Sequence, residues 1–124
     1  MISRKAFLLT WLLPAVFLLS GARCGEKPGE GALAKKGYEN AAPIIAALNQ
    51  YHGDKNDYPH LLKELVPDYL KELPRVEGDQ NYKYYYREDK KKYELEFDYD
   101  APALGICECR YYSDTKEWSC VCLI

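Results

Sequence analysis

Histidine is scarce in this chain: His52 and His60 are the only two among 124 residues. No Gly-x-Ser-x-Gly, His-Glu-x-x-His or phosphate-loop pattern occurs. Without such a constellation the expectation is a protein that is not an enzyme and needs no cofactor or resident metal. A basic surplus is missing too. The chain holds 17 Lys+Arg against 19 Asp+Glu. Arg4, Lys5 and Arg23 precede every acidic residue, so the part from Cys24 onward carries 14 against 19, a formal charge of −5. With no positive field to hold phosphates, nucleic acid is not an expected partner. There is also no long hydrophobic run. The apolar stretch Ala6–Leu19 is interrupted by Thr10 and Pro14 and falls short of the roughly 20 residues of a bilayer span.

What stands at the start is an export signature. Arg4 and Lys5 supply positive charge, the apolar stretch follows, and Ser20-Gly21-Ala22 are small. Residues 1–23 therefore read as a signal peptide, with two exits: cleavage after Ala22, or lipidation. The segment "LLSGARC" resembles a bacterial lipobox, in which a small residue precedes a diacylated cysteine. Arg23 departs from that pattern. Cys24 is the odd cysteine of five, and acylation accounts for a thiol left over in an oxidising compartment. Residues 24–37, rich in Gly and Lys, read as a flexible tether. The remaining residues, 38–124, form one small domain with limited ability to bury a core. The expected location is the bacterial periplasm or cell envelope, with the membrane as a partner through lipid on Cys24.

Along that domain, "ENAAPIIAALNQYHGD" has helical period, with Ala41, Ile45, Leu48 and His52 on one face. Asn40 is placed to cap its start, and Pro43 then falls in the first turn. An earlier start, near Leu33, would put Pro43 inside the helix as a kink. Asp54 to Asp57, "DKND", offers three oxygen side chains but lacks the Gly and distal Glu of a calcium loop, and reads as turn chemistry. His60 is placed to help start the next element. A short helical segment, "LLKELVPDYLKEL", breaks at Pro67 and ends at Pro74.

Beyond it the period becomes two. Tyr82, Tyr84 and Tyr86 share a face, as do Tyr93, Leu95, Phe97 and Tyr99. A turn centred on Asp89-Lys90 sets Tyr86 opposite Tyr93, Tyr84 opposite Leu95, Tyr82 opposite Phe97 and Lys83 opposite Glu96. Slipping by one residue would bury charge against tyrosine, so the register is strongly specified. The tyrosines read as core more than as a stacking platform, because only Tyr85 faces away from the set. Glu94, Glu96, Asp98 and Asp100 fall on the opposite, solvated face.

The C-terminal stretch "CECRYYSDTKEWSCVC" carries two Cys-x-Cys pairs. Both flanks alternate as strands and "SDTK" fits a hairpin turn. A turn centred between Asp114 and Thr115 sets Cys107 opposite Cys122, Cys109 opposite Cys120 and Tyr111 opposite Trp118. Both ladder spacings lie within disulfide reach, so two stacked bridges are expected. The competing reading is a small exported zinc-binding domain, or an enzyme, using these four cysteines. Zinc knuckles space their cysteines by two to four residues, and redox motifs use Cys-x-x-Cys at a helix start, so neither fits the pattern well.

The segment from Ala47 to Pro74 also resembles a known family. Ala47, Leu48 and Tyr51 at a helix end, Tyr58-Pro59 closing a loop, Leu62 and Leu65 before Pro67, Tyr69-Leu70, Leu73-Pro74 and then a Tyr-rich strand are similar to the C-terminal region of the type II secretion major pseudopilin and to type IV pilin-like proteins. The resemblance covers about residues 38–99. It implies an α+β, pilin-like fold: one main N-terminal helix and a short helical segment packed on an antiparallel β-meander of three to four strands. It also implies a binding or assembly role in a secretion or pilus system. The prepilin start is absent: no acidic residue precedes Glu26 and no Gly lies in the apolar run. Pilin-type processing and polymerisation are therefore not expected. The family's calcium region falls where this chain has its cysteine hairpin, so no calcium ligands carry over.

Overall fold

The computed structural model describes residues 27–123. Residues 1–23, expected to be a signal peptide, and Cys24 lie outside the described residues. The architecture is α+β. One helix, α1 (Ala32–Lys55), precedes a 3-10 turn (Leu62–Leu65) and four strands: β1 (Lys83–Arg87), β2 (Lys92–Ala101), β3 (Gly105–Tyr112) and β4 (Glu117–Leu123). The strands form one antiparallel meander in sequence order.

The helix starts earlier than Asn40. Residues 32–37, expected within the tether, form its first turns because they carry a buried seam. Ala34, Gly37, Ala41, Ile44, Ala47 and Leu48 are all buried, at spacings that follow the 3.6-residue period. Small residues in the first half bring the backbone close to the sheet, and Ile44 and Leu48 fill the wider second half. Ile45 and His52, expected on the packed face, are only partly covered. Pro43 lies inside the helix on its exposed side. The carbonyl of Glu39 that its missing N–H leaves free is thus within reach of water. Asn40 is no cap. Its side-chain amide donates to the carbonyls of Arg75 (3.1 Å) and Val76 (3.0 Å), pinning the long loop before β1 to the helix.

The expected registers are found. Tyr86 pairs with Tyr93, Tyr84 with Leu95 and Lys83 with Glu96. Tyr82 precedes β1, and its ring meets Phe97 edge-on at 5.9 Å. Across the other hairpin Cys107 pairs with Cys122, Cys109 with Cys120 and Tyr111 with Trp118. Between them β2 meets β3, with Phe97 opposite Cys109 and Glu96 opposite Arg110. The inner face is aromatic: Tyr93 and Phe97 are fully buried, and Tyr82, Tyr99 and Tyr111 nearly so. Tyrosine here is core. Burial pushes the phenols of Tyr82, Tyr84 and Tyr93 well above their ordinary range, because a phenolate would lose its hydration there.

Candidate functional site

The first feature is the C-terminal hairpin. Disulfides join Cys107 to Cys122 and Cys109 to Cys120, with Cα separations of 3.9 and 4.1 Å. This is the closer of the two antiparallel pair spacings. Both bridges lie on the inner face. Cys107 and Cys109 are fully buried, and Cys120 and Cys122 are partly covered. With each sulfur bonded to another, none of the four is a thiolate, so metal ligation or nucleophilic attack at these positions has no support. The turn itself is tied to β2. The Ser113 hydroxyl accepts the Tyr93 N–H (2.9 Å), and the Ser113 N–H donates to the Tyr93 carbonyl (3.1 Å).

The second feature is where the described chain enters. Lys27-Pro28-Gly29-Glu30 closes a turn, the Glu30 N–H donating to the Lys27 carbonyl at 3.0 Å. Proline second and glycine third, with Gly29 at φ 81°, fit a type II turn. This turn docks on the staple. The Gly29 N–H donates to the Tyr99 hydroxyl (2.8 Å), and the Tyr38 hydroxyl donates to the Gly29 carbonyl (2.9 Å). The same Tyr38 oxygen lies 3.2 Å from Cys120 Sγ. A disulfide sulfur has no hydrogen to give, and the single phenolic hydrogen is directed to Gly29, so that approach is a packing contact. Burial, then the neighbouring Tyr99, raises the Tyr38 pKa. The turn signal was present in "KPGE"; its docking partner was not, because Tyr99 and Cys120 lie far away in sequence.

Substituting Gly29 tests this contact. A Cβ there would sit 2.8 Å from both Cys120 Sγ and the Tyr38 hydroxyl, in a left-handed backbone that side chains resist. G29A is expected to release residues 27–31 at a cost of about 1–2 kcal/mol. Amide exchange over residues 29–31 should rise sharply while exchange in β2 stays slow. Unchanged exchange there would refute the docking.

The third feature is the outer face of the sheet. Glu96 was expected in solvent, yet it is 1% exposed. Lys83 Nζ donates to it at 2.9 Å and Arg110 Nη2 at 2.5 Å. Lys83 also bonds Asp98, and Arg110 bonds Glu108. The Arg110 guanidinium lies over the Tyr85 ring at 5.5 Å and closes the lid on Glu96. The carboxylates of Glu96, Asp98 and Glu108 cluster closely enough to suggest a cation site. Lys83 and Arg110 already bond all three carboxylates, offsetting two of their three charges.

Burial pushes the Glu96 carboxyl up, but the bonds from Lys83 and Arg110 together outweigh it and its pKa is lowered. A depressed carboxylate contributes stability above its unfolded pKa and loses it as pH falls through the folded one. E96Q should cost about 1–2 kcal/mol at neutral pH, since both cations retain access to water. The gap between wild type and E96Q in urea melts should shrink as pH falls through and below the ordinary carboxylate range. A gap that stays constant would contradict the assignment.

The histidines serve packing. His52 stacks on Tyr58 with ring centroids 4.5 Å apart, and His60 meets Tyr86 edge-on at 4.9 Å. His60 does not start the 3-10 turn; the Glu64 carboxylate does, accepting the Leu61 N–H at 2.7 Å. In "DKND", Asp54 accepts the Tyr69 hydroxyl (2.9 Å), while Asp57 accepts its neighbour's N–H and the Tyr86 hydroxyl (2.5 Å). The Tyr86 bond, then the backbone bond, lowers the Asp57 pKa, and the same contact pushes Tyr86 up to about 12. Asn56 ends α1 in a left-handed conformation, φ 55°. The acidic loop is thus a set of tyrosine acceptors.

No protein-family model, curated protein or solved structure matches this chain. Among the described residues, no helix is long and apolar enough to cross a membrane.

Proposed function

We propose that this chain is a non-catalytic bacterial envelope protein, anchored through lipid on Cys24, whose pilin-like domain binds or assembles as an accessory of a secretion or pilus system. The observation that carries the reading is the cysteine arrangement. Four of five cysteines are held in two disulfides, which persist in oxidising compartments. Only Cys24 stands outside them, three residues before a turn docked on the staple. An acyl group on Cys24 would leave only residues 25 and 26 between the lipid and the described turn. The pilin-like part of the reading is supported by a 24-residue helix lying on an antiparallel meander. It rests on the residue resemblance over 38–99 and on fold analogy, which speaks to architecture more than to a partner.

Intact mass of the protein purified from its host envelope tests the reading. The expected species begins at Cys24, carries acyl mass, and is about four hydrogens lighter than the reduced chain. A species beginning at Arg23 with a free Cys24 thiol would end the lipoprotein claim. One zinc per chain, lost to chelator with unfolding, would end the disulfide-staple model.

A further inference from the structure

The sheet's outer face is charged over most of its area but turns apolar at one corner. Ile106, Val121 and Leu123 are 56, 57 and 72% exposed. Ile106 and Leu123 are register partners, and Val121 is partner to Glu108 in the next row of that face. Three large aliphatics therefore stand together on β3 and β4, and none of the described residues covers them. Burying such side chains is the main favourable term in association, so a contiguous set left bare marks a contact surface.

The corner's position says what meets it. Asp100 and Ile106 form one of the last ladder rows before the β2–β3 turn. Ile106 also lines a cleft with Leu33, in the first turn of α1, and with Tyr99. Tyr99 is the residue that accepts the Gly29 N–H. The helix start, the chain entry and the aliphatic corner thus share one end of the molecule. Cys24 lies three residues before Lys27, so extended chain between them spans at most about 11 Å. Whatever holds Cys24 is held close to this end.

We infer that the Ile106–Val121–Leu123 corner rests on the lipid bilayer, as a second, shallow contact beside the N-terminal anchor. The inference rests on the anchored reading above. A diacylated cysteine would hold the chain on the membrane by itself; the corner's contact would fix how the domain is turned against the bilayer. Lys27 and Lys35, both exposed near the entry, suit anionic headgroups. Asp100, exposed on the same row as Ile106, keeps the contact at headgroup depth, since a carboxylate resists entry into the acyl region.

The test uses protein purified from its envelope and reconstituted in phosphatidylethanolamine–phosphatidylglycerol vesicles whose acyl chains are brominated close to the headgroups. Trp placed by V121W, or by L123W as a second variant, reports on the corner. Y85W reports on the same face at the other end of the sheet. Subtracting the wild-type Trp118 signal, V121W or L123W fluorescence should fall at least twofold with brominated lipid, and Y85W should not change. Flotation with the vesicles is read in the same samples. Protein that floats while neither corner variant is quenched overturns this inference and leaves the anchor standing. Protein that does not float overturns the anchor itself. Unquenched variants in a species that sediments as a dimer would assign the corner to a second copy of the chain and also overturn the inference.

Discussion

G37A is expected to lower stability by about 3 kcal/mol and the melting temperature by roughly 15 °C, although helix propensity alone argues for a gain. In an exposed helix, replacing glycine with alanine stabilises by about 1 kcal/mol. Gly37 is not exposed. It lies in the seam of α1, and a Cβ built there would overlap the Cδ2–Cε2–Cζ edge of the Phe97 ring. Phe97 has little room to give. It is fully buried and meets the rings of Tyr38, Tyr82 and Trp118 at centroid distances of 5.6, 5.9 and 5.3 Å. Moving the helix instead would break the bond from the buried Tyr82 hydroxyl to the Gly37 carbonyl. Overpacking therefore outweighs propensity. The compensating variant separates the two effects. F97L removes the ring, so G37A in an F97L background should cost far less than in wild type, a non-additivity of at least about 1 kcal/mol in urea melts. A rise in melting temperature on G37A, or strict additivity with F97L, would refute the close approach.

Gly37 also shows where sequence reading stops. In "GEKPGEGALAKKGYEN", glycine and lysine have the composition of a tether, and nothing local says that a phenylalanine sixty residues later needs that glycine's missing side chain. Asn40 is a similar case. Its amide chemistry suits a cap, but the structure uses it to hold a loop 35 residues away. Glu96 is legible on one side only. Its pairing with Lys83 follows from the β1–β2 hairpin, whereas its cover by Arg110 depends on the β2–β3 register. That register is set by a turn at Pro102–Leu104 that carries no strong signature. The two hairpins were readable because their turns are short and a slip in either would expose aromatics or separate cysteines. The site's sulfur half was therefore visible in the sequence, and its entry half, Gly29 on Tyr99 and Tyr38, was not.

Reduction of both disulfides should cost about 4 kcal/mol, while loss of either bridge alone should cost only about 1 kcal/mol beyond local repacking. The asymmetry follows from nesting. Sequence separations are 15 for Cys107–Cys122 and 11 for Cys109–Cys120. On loop-closure grounds each would contribute about 3 kcal/mol if it acted alone. Once one is closed, the other constrains only a few residues of unfolded chain, so most of its effect is already present. C107A/C122A and C109A/C120A should therefore each melt near wild type, and the quadruple variant or the reduced protein far below. For a domain whose total stability is on the order of 5–15 kcal/mol, that last step is large. Equal halves from the two double variants, or a melting curve indifferent to reductant, would contradict the nested staple. The two bridges should differ in a second respect. Tyr38 and Gly29 abut Cys120, not Cys122. Amide exchange over residues 29–31 should therefore accelerate more in C109A/C120A than in C107A/C122A. If the anchor is at Cys24, that difference has a consequence for function. The inner bridge fixes how the domain is held relative to its attachment, and the outer bridge closes the strand ends beneath Ile106 and Leu123. Opening the inner bridge should free the domain to tumble on its tether while leaving its fold nearly intact.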